Sequence, residues 1–210
     1  GQDFTLKWWN LLRQYVCRPD GEMLLVADPT QDVYGQKAWT DEKRMLGAGF
    51  SGPWAQVEGS YRLPPDLIPK VARFACDHVR GARVEPTVPD DHPQAGGFQP
   101  TVRRWVNAEG TRSVGEQLGE EVMALLRDRP DLSPSDVVLL AQTHEDGLEA
   151  VAVLERHGIE SQHIFARNDR EKRERKMHFY ANAPGVKACT VQSFKGWEAR
   201  AVVLNVSPSQ

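Results

Sequence analysis

Three short stretches of this 210-residue chain carry side chains suited to meeting a phosphate, a base or a sugar. In the first, Gln31 follows the apolar run Met23-Leu24-Leu25-Val26 and a tight Asp28-Pro29-Thr30 turn. A buried strand ending in a polar loop is where open α/β sheets hold ligands. An amide there can orient a water or touch a terminal phosphate. In the second, Tyr61-Arg62 sits between an expected short strand, residues 54–58, and a helix begun by Pro64-Pro65-Asp66. An arginine at such a strand end can neutralise phosphoryl charge from across a cleft, and a tyrosine offers a flat face to a base. The third is Thr190-Val191-Gln192-Ser193-Phe194-Lys195-Gly196-Trp197-Glu198. Hydroxyls, an amide, a lysine and a glycine there interrupt an apolar strand, as where backbone is held close to a ligand. Glu198 can accept hydrogen bonds from a ribose. Singly, each has an ordinary alternative. Gln31 fits a turn amide bonding its own backbone, Tyr61 a core ring with Arg62 at the surface, and 190–198 a polar loop.

The elements that must position these residues follow from periodicity. Residues 5–16 place Leu6, Trp9, Leu12 and Tyr15/Val16 at helical spacing, with Trp8 and Trp9 on its core face. A buried strand is expected at 23–27 and a Gly-rich break at 47–53. A Pro-initiated helix is expected to about residue 80, with Ile68, Val71, Ala75 and Val79 on one face. Residues 84–100 read as loop and 101–107 as a weakly alternating strand. Ser113 and Glu116 form a capping box before a helix with Leu118, Val122, Leu125 and Leu126 inside. A buried strand at 136–141 precedes a Thr143-capped helix that Gly158 stops. Strands are expected at 159–165, 186–191 and 201–206. Strands alternating with helices predict α/β architecture with a mainly parallel sheet.

Composition narrows the function classes. Net charge is −3, so general basic attraction to nucleic acid is absent and any such contact is local. Residues 167–176 hold six basic and three acidic side chains and read as a solvated helix or loop in preference to a DNA-backbone contact. Cys17, Cys76 and Cys189 are scattered and read as reduced core thiols of a cytoplasmic protein. The histidines have no metal-ligand spacing, so no metal site is expected. No apolar run reaches membrane-spanning length, and the start is not a signal peptide. Without an initiator Met, the chain reads as processed or cut from something longer. Gly47-Ala48-Gly49-Phe50-Ser51-Gly52 fits GxGxxG but lacks the flanking strand and helix a dinucleotide site needs. No GxxxxGK[ST] phosphate loop occurs anywhere.

In order and context, the three stretches resemble the UvrD/Rep-type superfamily 1 DNA helicases. ADPTQDVYG is similar to that family's third motif, VEGSYRLPPDLI to the fourth, and CTVQSFKGWEARAVVL to the fifth. Gly1-Gln2-Asp3 looks like the tail of the second motif, whose magnesium-binding Asp and catalytic Glu would lie just before residue 1. The resemblance implies a RecA-like, P-loop NTPase-type second domain without the P-loop itself. Residues 1–50 would be the end of the first RecA-like domain and 51–210 most of the second.

The resemblance also implies roles. Gln31 would sense the terminal phosphate, Tyr61 would stack on adenine, Arg62 would contact the terminal phosphate, and Glu198 would hold the ribose. Thr190, Gln192 and Ser193 would touch single-stranded DNA, and Tyr34, with Trp39 as the weaker candidate, would offer bases a stacking surface. ATP and Mg2+ would be bound mainly by the part upstream. Single-stranded or partly duplex DNA and the first RecA-like domain would be the partners, and DNA repair the setting. The parent would be an ATP-dependent DNA helicase or translocase, with this fragment inactive alone. Ala27 in place of the family's usual Gly, Gln36-Lys37 in place of an aromatic and Arg, Gln192 in place of His and Trp197 in place of Leu depart from the pattern. Ala27 and Gln192 favour the alternative, a non-catalytic helicase-like module binding DNA or protein. Only 30 residues separate Ile159 from Thr190, which leaves no room for the large accessory insertion many relatives carry there.

Overall fold

The computed structural model describes residues 4–26, 49–50, 55, 59–61, 63–78, 87–91, 103–107, 110–180 and 183–206. The chain divides into two compact units, Gly1–Arg104 and Trp105–Gln210. The expected division at 50/51 comes from motif order, and residues 27–48 and 51–54 beside it lie outside the described residues.

In the first unit, helix α1 (Leu6–Leu11) runs on into a π-helical turn, Leu12–Val16. The wider turn shifts the helical phase, so Tyr15 and Val16 face solvent instead of the core as their spacing predicts. Trp9 is buried between Phe4 and Phe50, both edge-on to it, whereas Trp8 is exposed, against expectation. Residues 21–26 form no strand, and Leu24 is 88% and Val26 68% exposed. The buried strand expected there is therefore corrected. An apolar run becomes a strand only where neighbours complete its ladder. Helix α2 (Ile68–His78) starts as expected after the proline turn, but of the described residues on its predicted face only Ile68 is fully buried. Residues 103–107, expected as a strand, carry no regular structure.

The second unit is α/β, a four-stranded, all-parallel sheet flanked by helices. Its elements are α3 (Val114–Asp128), β1 (Val137–Ala141), α4 (His144–Arg156), β2 (Ser161–His163), α5 (Asp169–His178), β3 (Val186–Thr190) and β4 (Ala201–Leu204). The strand order is β2-β3-β1-β4. Register pairs Leu140 with Cys189 on one side and with Leu204 on the other. β1 reads VVLLA because a central parallel strand is buried on both faces. Val137, Leu139 and Ala141 join Leu118 and Val122 of α3, Ala150, Val151 and Leu154 of α4, and Phe165. Val138 and Leu140 join Ile164 and Cys189 on the opposite face, where Phe179, Phe194 and Ala199 pack. Lys187 lies on β3 nearly buried, and its ammonium donates to the Ser135 carbonyl across 2.6 Å.

The close approach of α3 and α4 depends on two missing side chains. A β-carbon on Gly115 would stand 2.5 Å from the Asp146 carbonyl oxygen, and one on Gly119 2.7 Å from Val153 Cβ. Both helices begin on the caps their sequences predict. Ser113 accepts from the Glu116 amide at 3.1 Å, and Thr143 from the Asp146 amide at 3.0 Å. Among the described residues, no helix is long and apolar enough to cross a membrane.

Candidate functional site

The sheet has its opening at the carboxyl ends of β1 and β3. Ala141 and Thr190 end these adjacent strands side by side. The chain leaves β1 toward the face covered by α4, and leaves β3 toward the face where Phe194 and Ala199 pack. In open α/β sheets, connections departing to opposite faces leave a crevice between the strand ends, and ligands bind there.

Thr190, Gln192 and Ser193 are gathered on the β3 side of that crevice. Thr190 caps a one-turn 3-10 helix, Val191–Phe194. Its hydroxyl accepts from the Ser193 amide at 3.4 Å and donates to Ser193 Oγ at 3.1 Å. Because Thr190 spends its proton on Ser193, the Ser193 proton can be donated outward to an acceptor such as a phosphate oxygen. Gln192 is exposed, with its amide in solvent. Two apolar anchors hold this turn. Phe194 packs on Val138, Leu140, Ile164 and Cys189, and Trp197 lies against Phe179 with ring centroids 5.1 Å apart. Gly196 between them has φ +84, a backbone region that favours glycine. Glu198 follows, exposed. Trp197 thus clips the turn onto the segment after α5.

The β1 side supplies residues that motif reading missed. Asn205, just past β4, accepts from the Gln142 backbone N–H through Oδ1 at 3.0 Å, and its own backbone N–H donates to the Leu140 carbonyl at 3.3 Å. That fixes which way the side chain points. Its Nδ2 is then buried with no hydrogen-bond partner among the described residues. The only sequence signal was an asparagine directly after AVVL. His144 begins α4, and its Nδ1 accepts from the Ala166 amide at 3.1 Å. Burial, and then the charges of Lys172 and Lys176, hold its pKa below the usual histidine value.

This edge is not a phosphate cradle of the kind that grips a nucleotide. The α4 N-terminus is already satisfied by Thr143, whose hydroxyl also donates to Asp146 Oδ2 at 2.7 Å. Glu145 and Asp146 in its first turn repel an anion. Among the described residues no three His, Cys, Asp or Glu side chains group as a metal site. The residues described therefore do not by themselves fit ATP with its Mg2+.

Tyr61 belongs to the first unit. It is 55% exposed, and its phenol donates to Asp91 Oδ1 at 2.8 Å, which raises its pKa. Gln31, Tyr34, Trp39 and Arg62 lie outside the described residues. Of the three cysteines, Cys189 alone is a core thiol. Cys17 is half-buried, and Cys76 is exposed, a correction to the expected core placement.

No protein-family profile, curated protein or solved structure matches this chain.

Proposed function

We propose that this chain is the C-terminal part of a UvrD/Rep-type DNA helicase or translocase, with its second unit belonging to the second RecA-like domain. The observation that carries the reading is the position of TVQSFKGWE. Residues that the family resemblance assigns to DNA occupy the carboxyl edge of a parallel sheet, in a turn anchored by Phe194 and Trp197. The Ser193 hydroxyl and the Gln192 amide are uncharged donors suited to a phosphodiester backbone, which needs contact without base selection. The capped and acidic α4 N-terminus agrees with a domain that supplies residues to a nucleotide held elsewhere. The family resemblance would give Gln31, Tyr61 and Arg62 of the first unit, and Glu198 of the second, their roles toward ATP. ATP with Mg2+ would supply the phosphoryl chemistry, and these side chains would orient, stack and neutralise charge.

The test is ATP turnover with and without single-stranded DNA. The 210-residue chain alone is expected to show none. The longer protein is expected to show DNA-stimulated turnover that Arg62→Ala lowers by about 10³. Measurable turnover by the clean fragment, or a near-wild-type rate for Arg62→Ala, would sink the assignment.

A further inference from the structure

Helix α5 carries charge that the helicase reading leaves unused. Its sequence, DREKRERKMH, buries no residue fully. Hydrophobic burial therefore does not hold it, and polar contacts must. Arg175 provides them. Its guanidinium donates to His163 Nε2 of β2 at 2.6 Å and to Glu171 Oε1 at 2.7 Å. Just past the helix, Phe179 meets Trp197 of the turn that follows β3. The helix is thus tied both to the sheet edge and to the candidate DNA-contacting turn.

These ties consume the acids of α5. Glu171 is taken by Arg175 and by the Arg167 amide at 3.2 Å, and Glu174 by Arg170. Asp169 sits in the first turn, where it complements the helix N-terminus. Three cations are left over. Lys172, Arg173 and Lys176 have no ion-pair partner among the described residues. Lys176 lies four residues beyond Lys172 and three beyond Arg173, which sets the three on one side of the helix. On a chain of net charge −3, such a stripe is a local feature and not part of a general basic field. Ala166, three residues before α5, donates its amide to His144 Nδ1 at 3.1 Å, and His144 begins the helix directly after Thr143. The start of α5 therefore adjoins the same carboxyl edge as the Thr190–Ser193 turn.

We propose that Lys172, Arg173 and Lys176 form a second contact for the phosphate backbone of single-stranded DNA, continuous with the Thr190–Ser193 turn. This rests on the helicase reading for the identity of the strand, while the charge stripe stands on its own geometry. Three cations spaced along one helical stripe suit successive phosphates and carry no sequence preference. Arg175 ties α5 to the sheet while Arg173 and Lys176 are exposed and Lys172 is half-buried, so the helix can bind without leaving the sheet.

The experiment is fluorescence anisotropy of a labelled oligodeoxythymidylate with the full 210-residue chain, across a salt series. The Lys172→Gln/Arg173→Gln/Lys176→Gln variant is expected to bind about tenfold more weakly at low salt. Its slope of log affinity against log salt is expected to fall by about 2, near 0.7 for each phosphate no longer neutralised. A Lys172→Arg/Lys176→Arg variant keeps the charges and is expected to bind as wild type, which separates charge from folding. Thr190→Ala/Ser193→Ala removes uncharged donors, so it is expected to weaken binding with the slope unchanged. Unchanged affinity and slope in the glutamine variant, with weakening in the hydroxyl variant, would overturn the α5 contact and leave the helicase reading standing. The reverse pattern would keep α5 and remove support from the helicase reading. No binding by the wild-type chain at low salt overturns the α5 contact outright.

Discussion

The ring of Phe165 fills the space that a side chain on Gly147 would need, with its nearest carbon 2.4 Å from where that β-carbon would stand. Two imidazoles frame the same ring. His163 stacks on it at 6.0 Å between centroids, and His144 meets it edge-on at 5.8 Å. This cluster joins β2 to the start of α4, so it couples the sheet edge to the rim of the crevice. Gly147→Ala is expected to destabilise the second unit by about 1–3 kcal/mol, since a packed aromatic ring and a helix backbone cannot both give way. Urea unfolding measures it, and an unchanged midpoint would show that the ring can move.

Backbone conformation sets a second prediction. Gly185 enters β3 with φ +77, and a β-carbon there would lie 2.2 Å from the Glu160 carbonyl oxygen. That carbonyl accepts the Val186 amide at 2.9 Å, so it is fixed by the β2–β3 junction. Gly185→Ala meets both strain and a clash with backbone, and is expected to cost at least about 1–3 kcal/mol. Thermal melting against wild type reads it directly.

The two histidines define a pH window. Burial, reinforced by Arg175, pushes the His163 pKa down to about 4 from 6.5, against the opposing pull of the Phe165 backbone and Glu171. His144 is lowered in the same direction. Between these values the unfolded chain takes up protons that the folded chain refuses, so stability falls as pH drops from 6.5 toward 4. Asp131, Asp136 and Glu171 are lowered below ordinary carboxylate values, so their contribution is lost mainly at more acid pH. His163→Gln can still accept from Arg175 and does not titrate. Its melting temperature is expected to fall less than wild type's between about pH 6.5 and 4.5, and parallel curves would remove His163 from this role.

Thiol reactivity should sort the cysteines by burial. The Cys189 thiol is fully buried on the sheet face and pushed up to about 12 by that burial, which keeps it from forming the reactive thiolate. Cys76 is exposed on α2. Brief alkylation of the native chain followed by peptide mass spectrometry is expected to label Cys76 and spare Cys189 until denaturant is added. Early labelling of Cys189 would mean that the Phe194 side of the sheet opens in the native state.

Much of the second unit is legible in the order of its residues. Ser113 and Thr143 announce α3 and α4 through caps formed within three residues, and DVVLLA announces β1 because a strand buried on both faces must be apolar throughout. Local chemistry suffices where local bonds decide the outcome. It does not suffice at residues 23–26, where an equally apolar run forms no strand and leaves Leu24 and Val26 exposed, because strand formation requires partners that its own residues cannot specify. Nor does it reveal that Trp197 clips to Phe179, that Asn205 bridges β4 to β1, or that Arg175 reaches His163 as well as its helical neighbour Glu171. Each of these joins residues far apart along the chain. Only the packing of the sheet and its connections brings them within reach.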